Sequence, residues 1–179
     1  DFRGQSWTTP PAGSRTFAEM EVYTAYIPKR MLHCYRTAHA QGVGAVRFFP
    51  KFGHLLLSAG LDGVVKLWDT VSHRKCVRSY TGHSKGVRDI CFTNDGRSFL
   101  SASYDRSIKL WDTESGRVIS SFVGNHAIPY CVQFNPDEDK QTEFLAGCSD
   151  KKVIQMDVRD GSKIVQSYDQ HMGAVNAIT

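Results

Sequence analysis

Two stretches of the sequence carry the same set of reactive side chains. SAGLDGVVKLWD begins at Ser58 and SASYDRSIKLWD at Ser101, and both place a serine, an aspartate and a Trp-Asp pair at the same offsets. A histidine precedes each set, His39 before the first and His83 before the second. Serine, histidine and aspartate together could form a hydrolase, in which the histidine takes the proton of a nucleophilic serine. Because a hydrolase needs one such set, the duplication favours a different role.

The two sets belong to a repeat that continues along the chain. Trp68, Trp111 and Met156, each followed by an aspartate, are 43 and 45 residues apart. The same period separates His39, His83, His126 and His171, and also Asp62, Asp105 and Asp150. Within one period, short β-branched and aromatic runs alternate with Gly, Asn and Asp turns, and no apolar stripe has helical spacing. Four antiparallel strands in about 40–45 residues, with Gly-His and Trp-Asp landmarks, are typical of a WD40 propeller blade.

The repeat therefore predicts an all-β fold, a WD40 β-propeller over residues 31–179 that follows an extended N-terminal arm at residues 1–30. Three blades and the start of a fourth are expected at residues 43–80, 87–122, 130–168 and 173–179. Because three blades cannot close a ring, we expect the native polypeptide to continue to a total of about seven blades. Residues 31–36 resemble a fourth strand without its three partners, and we expect this orphan strand to complete the last blade.

In a blade of this kind the reactive set has a structural role. The histidine would bind both the aspartate and the serine, and the serine would accept a hydrogen bond from the tryptophan indole, which makes burial of these polar groups tolerable. The predicted networks are His39, Ser58, Asp62 and Trp68 in the first blade, and His83, Ser101, Asp105 and Trp111 in the second. In the third blade Ala146 and Met156 replace the serine and the tryptophan. No G-x-S-x-G elbow is present, so we predict no catalytic residue and no enzymatic activity.

Composition excludes several other classes of function. The chain has 179 residues, 41% of them hydrophobic, and a net charge of +4, which is typical of a soluble globular protein. Its 5 cysteines form no CxxC pair, and they are interpreted as reduced thiols of the cytosol or nucleus. We therefore expect no cofactor, no metal and no small-molecule substrate. No apolar run reaches the roughly 18 residues of a membrane helix, and we expect no membrane contact.

The sequence between the recurring Gly-His and Trp-Asp pairs is more distinctive than the repeat itself. The segments GQSWTTPP, GHSKGVRDICF, PYCVQFNPDEDKQ and SDKKVIQMDVRDG closely resemble the WD-repeat splicing factors of the pre-mRNA-processing factor seventeen family. This resemblance covers essentially the whole chain, and Met156 departs from it where tryptophan is usual. It implies a nuclear, non-catalytic component of the spliceosome that acts around the second step, exon ligation. In that role the family bridges spliceosomal proteins and the remodelled RNA core, close to pre-mRNA and snRNA.

Under this interpretation two groups of residues are candidates for contact with partners. In the arm these are Trp7, Pro10, Pro11 and Phe17, which we expect to contact another spliceosomal protein. On the loops of the disc they are Lys85, Arg88, Tyr104, Arg106, Lys151 and Lys152. An alternative is a substrate receptor of a ubiquitin ligase, since the segment MDVR at residues 156–159 is close to the Trp-Asp-x-Arg signature of such receptors. Another WD40 interaction scaffold is also possible on this sequence.

Overall fold

The architecture consists of three blades. The computed structural model describes residues 10, 27, 29–31, 33–35, 38–72, 74–123 and 126–179, and in these residues 12 strands form three four-stranded antiparallel sheets. Blade 1 contains β1 (Val43–Phe48), β2 (Leu55–Gly60), β3 (Val64–Asp69) and β4 (Cys76–Thr81). Blade 2 contains β5 (Val87–Phe92), β6 (Ser98–Ser103), β7 (Ser107–Asp112) and β8 (Val118–Val123). Blade 3 contains β9 (Pro129–Phe134), β10 (Glu143–Cys148), β11 (Val153–Asp157) and β12 (Ile164–Tyr168).

Helix is limited, in the described ranges, to the single 3-10 turns Glu138–Lys140 and Val158–Asp160. The prediction of an all-β fold built from four-stranded antiparallel blades is therefore confirmed. None of the helical turns in the described ranges has the length and apolar character needed to cross a membrane.

Blade 2 is buried on both faces because it lies between the other two blades. Successive side chains of a strand point to opposite faces of its sheet, so β6 supplies two separate cores. Phe99 packs in the core between blades 1 and 2, whereas Leu100 and Ala102 pack in the core between blades 2 and 3. This explains why residues 99–103 of β6 are all buried instead of alternating between buried and exposed.

One carboxylate joins the inner strands of all three blades. Asp89 on β5 is buried, with 8% of its surface exposed. Its Oδ1 accepts a hydrogen bond from Nη2 of Arg47 on β1 at 3.0 Å, and its Oδ2 accepts one from the backbone N–H of Val132 on β9 at 3.1 Å. Burial raises the pKa of Asp89, and the Val132 N–H and the Arg47 charge partly offset this. The carboxylate thereby links the three blades through hydrogen bonds.

The outer face of blade 1 is apolar and exposed. Val46 and Phe48 of β1 are 51% and 62% exposed, whereas their counterparts in blade 2, Ile90 and Phe92, are 0% and 8% exposed. The difference arises because blade 1 covers β5, and no element of the described residues covers β1 in the same way.

The segments at the edges of the predicted propeller contain no strand in the part that is described. Of residues 31–36, the structure describes Met31 and residues 33–35 and assigns none of them to a strand. Residues 173–179 also form no strand, although Val175 is buried and its N–H donates to the Cys148 carbonyl at 3.2 Å. Trp7, Pro11 and Phe17 lie outside the described residues, whereas Pro10 is described and half-buried. The closing strand and the arm contacts therefore stay predictions.

Candidate functional site

The four predicted residues of blade 2 lie together in the structure. The Nδ1 atom of His83 is 2.8 Å from Oδ2 of Asp105, and its Nε2 is 2.6 Å from Oγ of Ser101. The indole Nε1 of Trp111 donates to the same Oγ at 2.8 Å. Hydrogen bonds therefore run without a break from the indole through the hydroxyl and the imidazole to the carboxylate.

The hydrogen bonds of this network are satisfied by a neutral histidine. The Trp111 N–H donates to Ser101 Oγ, and the hydroxyl proton can point at Nε2 of His83, which then accepts it. The imidazole proton is then on Nδ1, where it faces Asp105. A neutral histidine and an ionised aspartate thus use every proton in the network. A charged imidazole would donate from Nε2 to Ser101 Oγ, and the hydroxyl proton would lose the imidazole as its acceptor.

The carboxylate of Asp105 also holds the turns on both sides of it. Oδ2 accepts from the backbone N–H of Ser84 at 3.1 Å, and Oδ1 accepts from the N–H and the hydroxyl of Ser107 at 2.9 and 2.6 Å. Burial by itself would raise the pKa of Asp105, but the hydrogen bonds from Ser107 and His83 outweigh it and lower the pKa to about 2. The carboxylate is therefore ionised throughout the physiological range.

Blade 1 repeats this arrangement. His39 is 3.1 Å from Asp62 through Nδ1 and 2.8 Å from Ser58 through Nε2, and Trp68 Nε1 donates to Ser58 Oγ at 2.8 Å. Tyr35 covers the indole, with its ring 4.7 Å from that of Trp68 and its hydroxyl donating to the Asp69 carbonyl at 3.1 Å.

The last strand of blade 1 covers the blade 2 network in the same manner. The Tyr80 ring is 5.8 Å from the Trp111 ring, and its hydroxyl donates to the Thr113 carbonyl at 2.6 Å. Tyr35 and Tyr80 occupy equivalent positions of the repeat, so residues 33–35 pack on blade 1 as β4 packs on blade 2.

Blade 3 replaces the polar network by apolar packing. Ala146 and Met156 are both 0% exposed and share a core with Phe122 and Phe144, whose rings are 5.1 Å apart. Phe122 occupies the position that Tyr80 holds one blade earlier, so the covering residue has also lost its hydroxyl. His126 and Asp150 are exposed, and no hydrogen bond joins them among the described residues. The polar and apolar versions are therefore alternative ways of filling one site.

Neither serine is accessible to a substrate. Ser58 is 4% exposed and Ser101 is 0% exposed. Both hydroxyl groups are engaged by an indole and an imidazole, as described above, and the His83 side chain is only 1% exposed. Nucleophilic catalysis requires a serine that a substrate can reach beside an oxyanion hole. The geometry is that of two buried structural networks.

Stability should fall in mild acid because of the neutral histidine. Burial lowers the pKa of His83 below 6.5, and Asp105 only partly opposes this. As the pH falls, this histidine is therefore protonated in the unfolded chain before it is protonated in the folded chain. The stabilisation that comes from the neutral His83 is complete above pH 6.5 and is lost as the pH falls through the folded pKa. A further loss follows from pH 3.8 towards about 2, where Asp105 titrates in the folded state. Urea unfolding at a series of pH values across this range measures both losses of stability.

Two variants isolate the histidine contribution. We expect the stability difference between wild type and His83→Asn to shrink below pH 6.5, because only the wild type has this group to titrate. The exposed His171 is the control, and His171→Asn should follow the wild-type profile. Parallel profiles for wild type and His83→Asn would show that the pKa of His83 is the same in the folded and the unfolded protein.

The predicted loop contacts lie on one surface, which we call the histidine face. It consists of the turns at residues 61–63, 104–106 and 149–152 and of the loops at residues 82–86 and 126–128. Backbone hydrogen bonds join these segments, from Tyr104 N to Gly86 O at 3.0 Å and from Ser149 N to Ile128 O at 2.9 Å. On this face Lys85, Arg106 and Lys151 are exposed, and Lys152 is half-buried.

Arg88 is the predicted contact with the most extensive surroundings. Its Nη1 donates to the Tyr104 hydroxyl at 3.0 Å, and its Nη2 donates to Oδ1 of Asn176 at 3.2 Å. The guanidinium lies over the Tyr130 ring, 4.4 Å from the ring centre. Sequence reasoning missed Tyr130 and Asn176. The available signal was their repeat position, since Arg88, Tyr130 and Asn176 are equivalent residues of successive blades.

The Asp-x-Arg pair in blade 3 is engaged internally. Asp157 Oδ2 lies 2.9 Å from Nη2 of Arg159, and its Oδ1 accepts from the backbone N–H of Arg159 at 2.8 Å. Hydrogen bonds from Arg159 lower the pKa of Asp157. The arginine remains 71% exposed.

Comparison with known proteins agrees with this architecture. The family model described as "WD domain, G-beta repeat" matches residues 31–69 and 74–112. These two segments therefore match WD40 repeats. The second begins just before β4 and ends at Asp112 of its Trp-Asp pair, and the first begins at Met31, where the sequence predicts the closing strand.

The chain also resembles three curated proteins over 99% of its length. It is 52% identical to Pre-mRNA-processing factor 17 of Homo sapiens and of Mus musculus, and covers 31% of each. It is 36% identical to Pre-mRNA-processing factor 17 of Saccharomyces cerevisiae and covers 39% of it. The resemblance predicted from the sequence is confirmed. The chain spans about a third of the length of these relatives.

Proposed function

We propose that this chain is part of a non-catalytic scaffold in pre-mRNA splicing. It acts in the nucleus around the second step, exon ligation, by bridging proteins and the RNA core of the spliceosome. The observation that carries the proposal is the 52% identity to Pre-mRNA-processing factor 17 of Homo sapiens across 99% of the chain, arm and blades alike.

The structure supports a binding role over a catalytic one. The serine, histidine and aspartate side chains of blades 1 and 2 could take part in catalysis by type, but they are hydrogen-bonded to one another in buried networks. What the blades offer to solvent is a rigid support with loops at both ends of the strands, on which several partners can dock at once.

Further blades of the same polypeptide belong to this proposal. They cover the exposed apolar face of β1, where Val46 and Phe48 are 51% and 62% exposed. An exposed apolar surface of this kind promotes aggregation. The matched relatives are long enough to contain such blades, since the chain covers about a third of them.

The test is affinity purification of the full-length protein from nuclear extract. Spliceosomal snRNAs and splicing proteins should be recovered with it. Recovery of a ubiquitin-ligase adaptor in their place would overturn the proposal in favour of the receptor alternative, in which the segment at residues 156–159 would be the contact.

The same purification tests the arm. Deletion of residues 1–29 should weaken association with the spliceosome and leave the melting temperature of the blades unchanged, because the arm residues Trp7, Pro10, Pro11 and Phe17 bind a partner in this proposal. An extended segment can order itself on a partner surface without being part of the folded core. Full association of the deletion variant would exclude the arm as a contact.

A further inference from the structure

The histidine face of blades 2 and 3 carries cations without acidic partners. Among the described residues, no carboxylate oxygen lies within 4.0 Å of the side-chain nitrogens of Lys85, Arg106, Lys151 or Lys152. The face contains three aspartates, of which Asp62 in blade 1 is turned inward to His39 with 14% of its side chain exposed. Asp105 is turned inward to His83 with 11% of its side chain exposed, and Asp150 is exposed. Positive charge therefore dominates the face.

Two of these cations occupy positions where the backbone favours glycine. Arg106 and Lys151 have φ of 71° and 70°, and the equivalent residue of blade 1, Gly63, has φ of 81°. Left-handed backbone is unfavourable for a residue with a side chain. Glycine would relieve this strain in all three turns, so the fold itself does not require the cations at two of them.

Blade 1 shows that the requirement for a cation is local. A Cβ on Gly63 would lie 3.1 Å from the Lys85 carbonyl oxygen and 3.2 Å from that of His83, so this turn is packed against blade 2. Arg106 and Lys151 instead are exposed to solvent. On this face, cations with a left-handed backbone therefore occur where the side chain is exposed and can reach a partner. Glycine occurs where the turn is covered.

Aromatic rings lie beside the cations. The Tyr104 ring is 6.4 Å from the Tyr130 ring, across the boundary between blades 2 and 3, and both are half-buried. Arg88 holds both residues, through the Tyr104 hydroxyl and the Tyr130 face. Cations that neutralise phosphates, beside rings on which bases can stack, are the combination that binds single-stranded nucleic acid.

We propose that the histidine face of blades 2 and 3 binds single-stranded RNA. Arg106, Lys151 and Lys85 contact phosphates, and Tyr104 stacks on a base. The aromatic rings favour RNA over an acidic polypeptide. An acidic polypeptide would use only the cations, whereas RNA would use both the cations and the rings. This inference rests on the proposed splicing function and names the partner class of one of its surfaces.

The experiment measures binding of labelled single-stranded oligouridine to the full-length protein over a range of salt concentrations. For the variant Arg106→Gly/Lys151→Gly we expect weaker binding, and a slope of log affinity against log salt that is smaller by about 1.4, or about 0.7 for each lost phosphate contact. Its melting temperature should stay the same or rise, because glycine relaxes both turns. A loss of binding in this variant therefore cannot be ascribed to unfolding.

Lys51 provides the matched control. It has φ of 66° and lies in the turn between β1 and β2, at the opposite end of the strands from the histidine face. Lys51→Gly removes the same charge from the same backbone conformation and should leave the salt slope unchanged. Tyr104→Leu tests the stacking contact, with affinity reduced about fivefold or more and the salt slope retained.

An unchanged salt slope for Arg106→Gly/Lys151→Gly would overturn the inference. So would binding of oligoglutamate, but not of oligouridine, that depends on the same two residues, because it would identify an acidic protein as the partner. Full-length protein that co-purifies with splicing proteins and fails to bind oligouridine would refute this inference alone. Protein that binds oligouridine through these residues without recovering splicing components would refute the splicing function and support the RNA surface.

Discussion

Replacing Ser101 with alanine should lower the free energy of unfolding by about 2–6 kcal/mol, because it strands two buried polar groups at about 1–3 kcal/mol each. The Trp111 N–H loses its acceptor, and Nε2 of His83 loses its donor; both side chains are at most 1% exposed. Urea unfolding of the full-length protein measures the change. A loss below about 0.5 kcal/mol, the usual size of a surface substitution, would mean that the network does not stabilise the blade.

Two further variants separate the network from the simple loss of a hydroxyl. Ser120→Ala on β8 removes a half-buried serine outside the network and should change stability little. Ser101→Ala/Trp111→Met reproduces the pair found in blade 3 and should cost less than the sum of its single substitutions, since methionine has no N–H to leave unsatisfied. Additive effects would show that the serine and the indole act independently.

Replacing Gly96 with alanine should cost about 2–5 kcal/mol, through left-handed strain of about 1–2 kcal/mol and overpacking of about 1–3 kcal/mol. Gly96 has φ of 71° in the turn between β5 and β6. A Cβ there would overlap the ring of Phe49, which is 3% exposed in the core between blades 1 and 2. The ring cannot move away without disturbing Phe92, 5.4 Å from it.

Gly161 separates the two contributions. It has φ of 64° and ψ of −136°, a backbone conformation that is also unfavourable for a residue with a side chain, and a Cβ placed on it meets no atom within 4 Å. Gly161→Ala should therefore show backbone strain without overpacking, about 1–3 kcal/mol. A loss for Gly96→Ala below about 2 kcal/mol, the size of left-handed strain alone, would mean that the Phe49 ring yields without cost.

The sequence allowed the blades and the members of the buried networks to be predicted because both depend on a period. Ser101, Asp105 and Trp111 recur at the offsets of Ser58, Asp62 and Trp68, and strand alternation within the period predicted the sheets. The replacement of serine by Ala146 and of tryptophan by Met156 was visible for the same reason. A periodic pattern predicts where residues lie within one blade. It contains no information about the contacts between that blade and its neighbours.

Contacts between blades could not be predicted in this way. Asp89 lies 42 residues from Arg47 and 43 from Val132 along the chain, and nothing in a single repeat shows that their side chain and backbone groups meet. The Arg88 stack on Tyr130 is of the same kind. Such contacts depend on how far one blade is rotated against the next, which is determined by core packing and not by local pattern.

The carboxylate shared by three blades bears on how the molecule opens. Repeat arrays whose units touch only their neighbours can fray from one end, with each unit opening on its own. Here, release of blade 1 removes the guanidinium that balances the buried charge of Asp89, and release of blade 3 removes its amide donor. Local opening of either outer unit thus weakens the central one, and this couples the three units into a single cooperative transition.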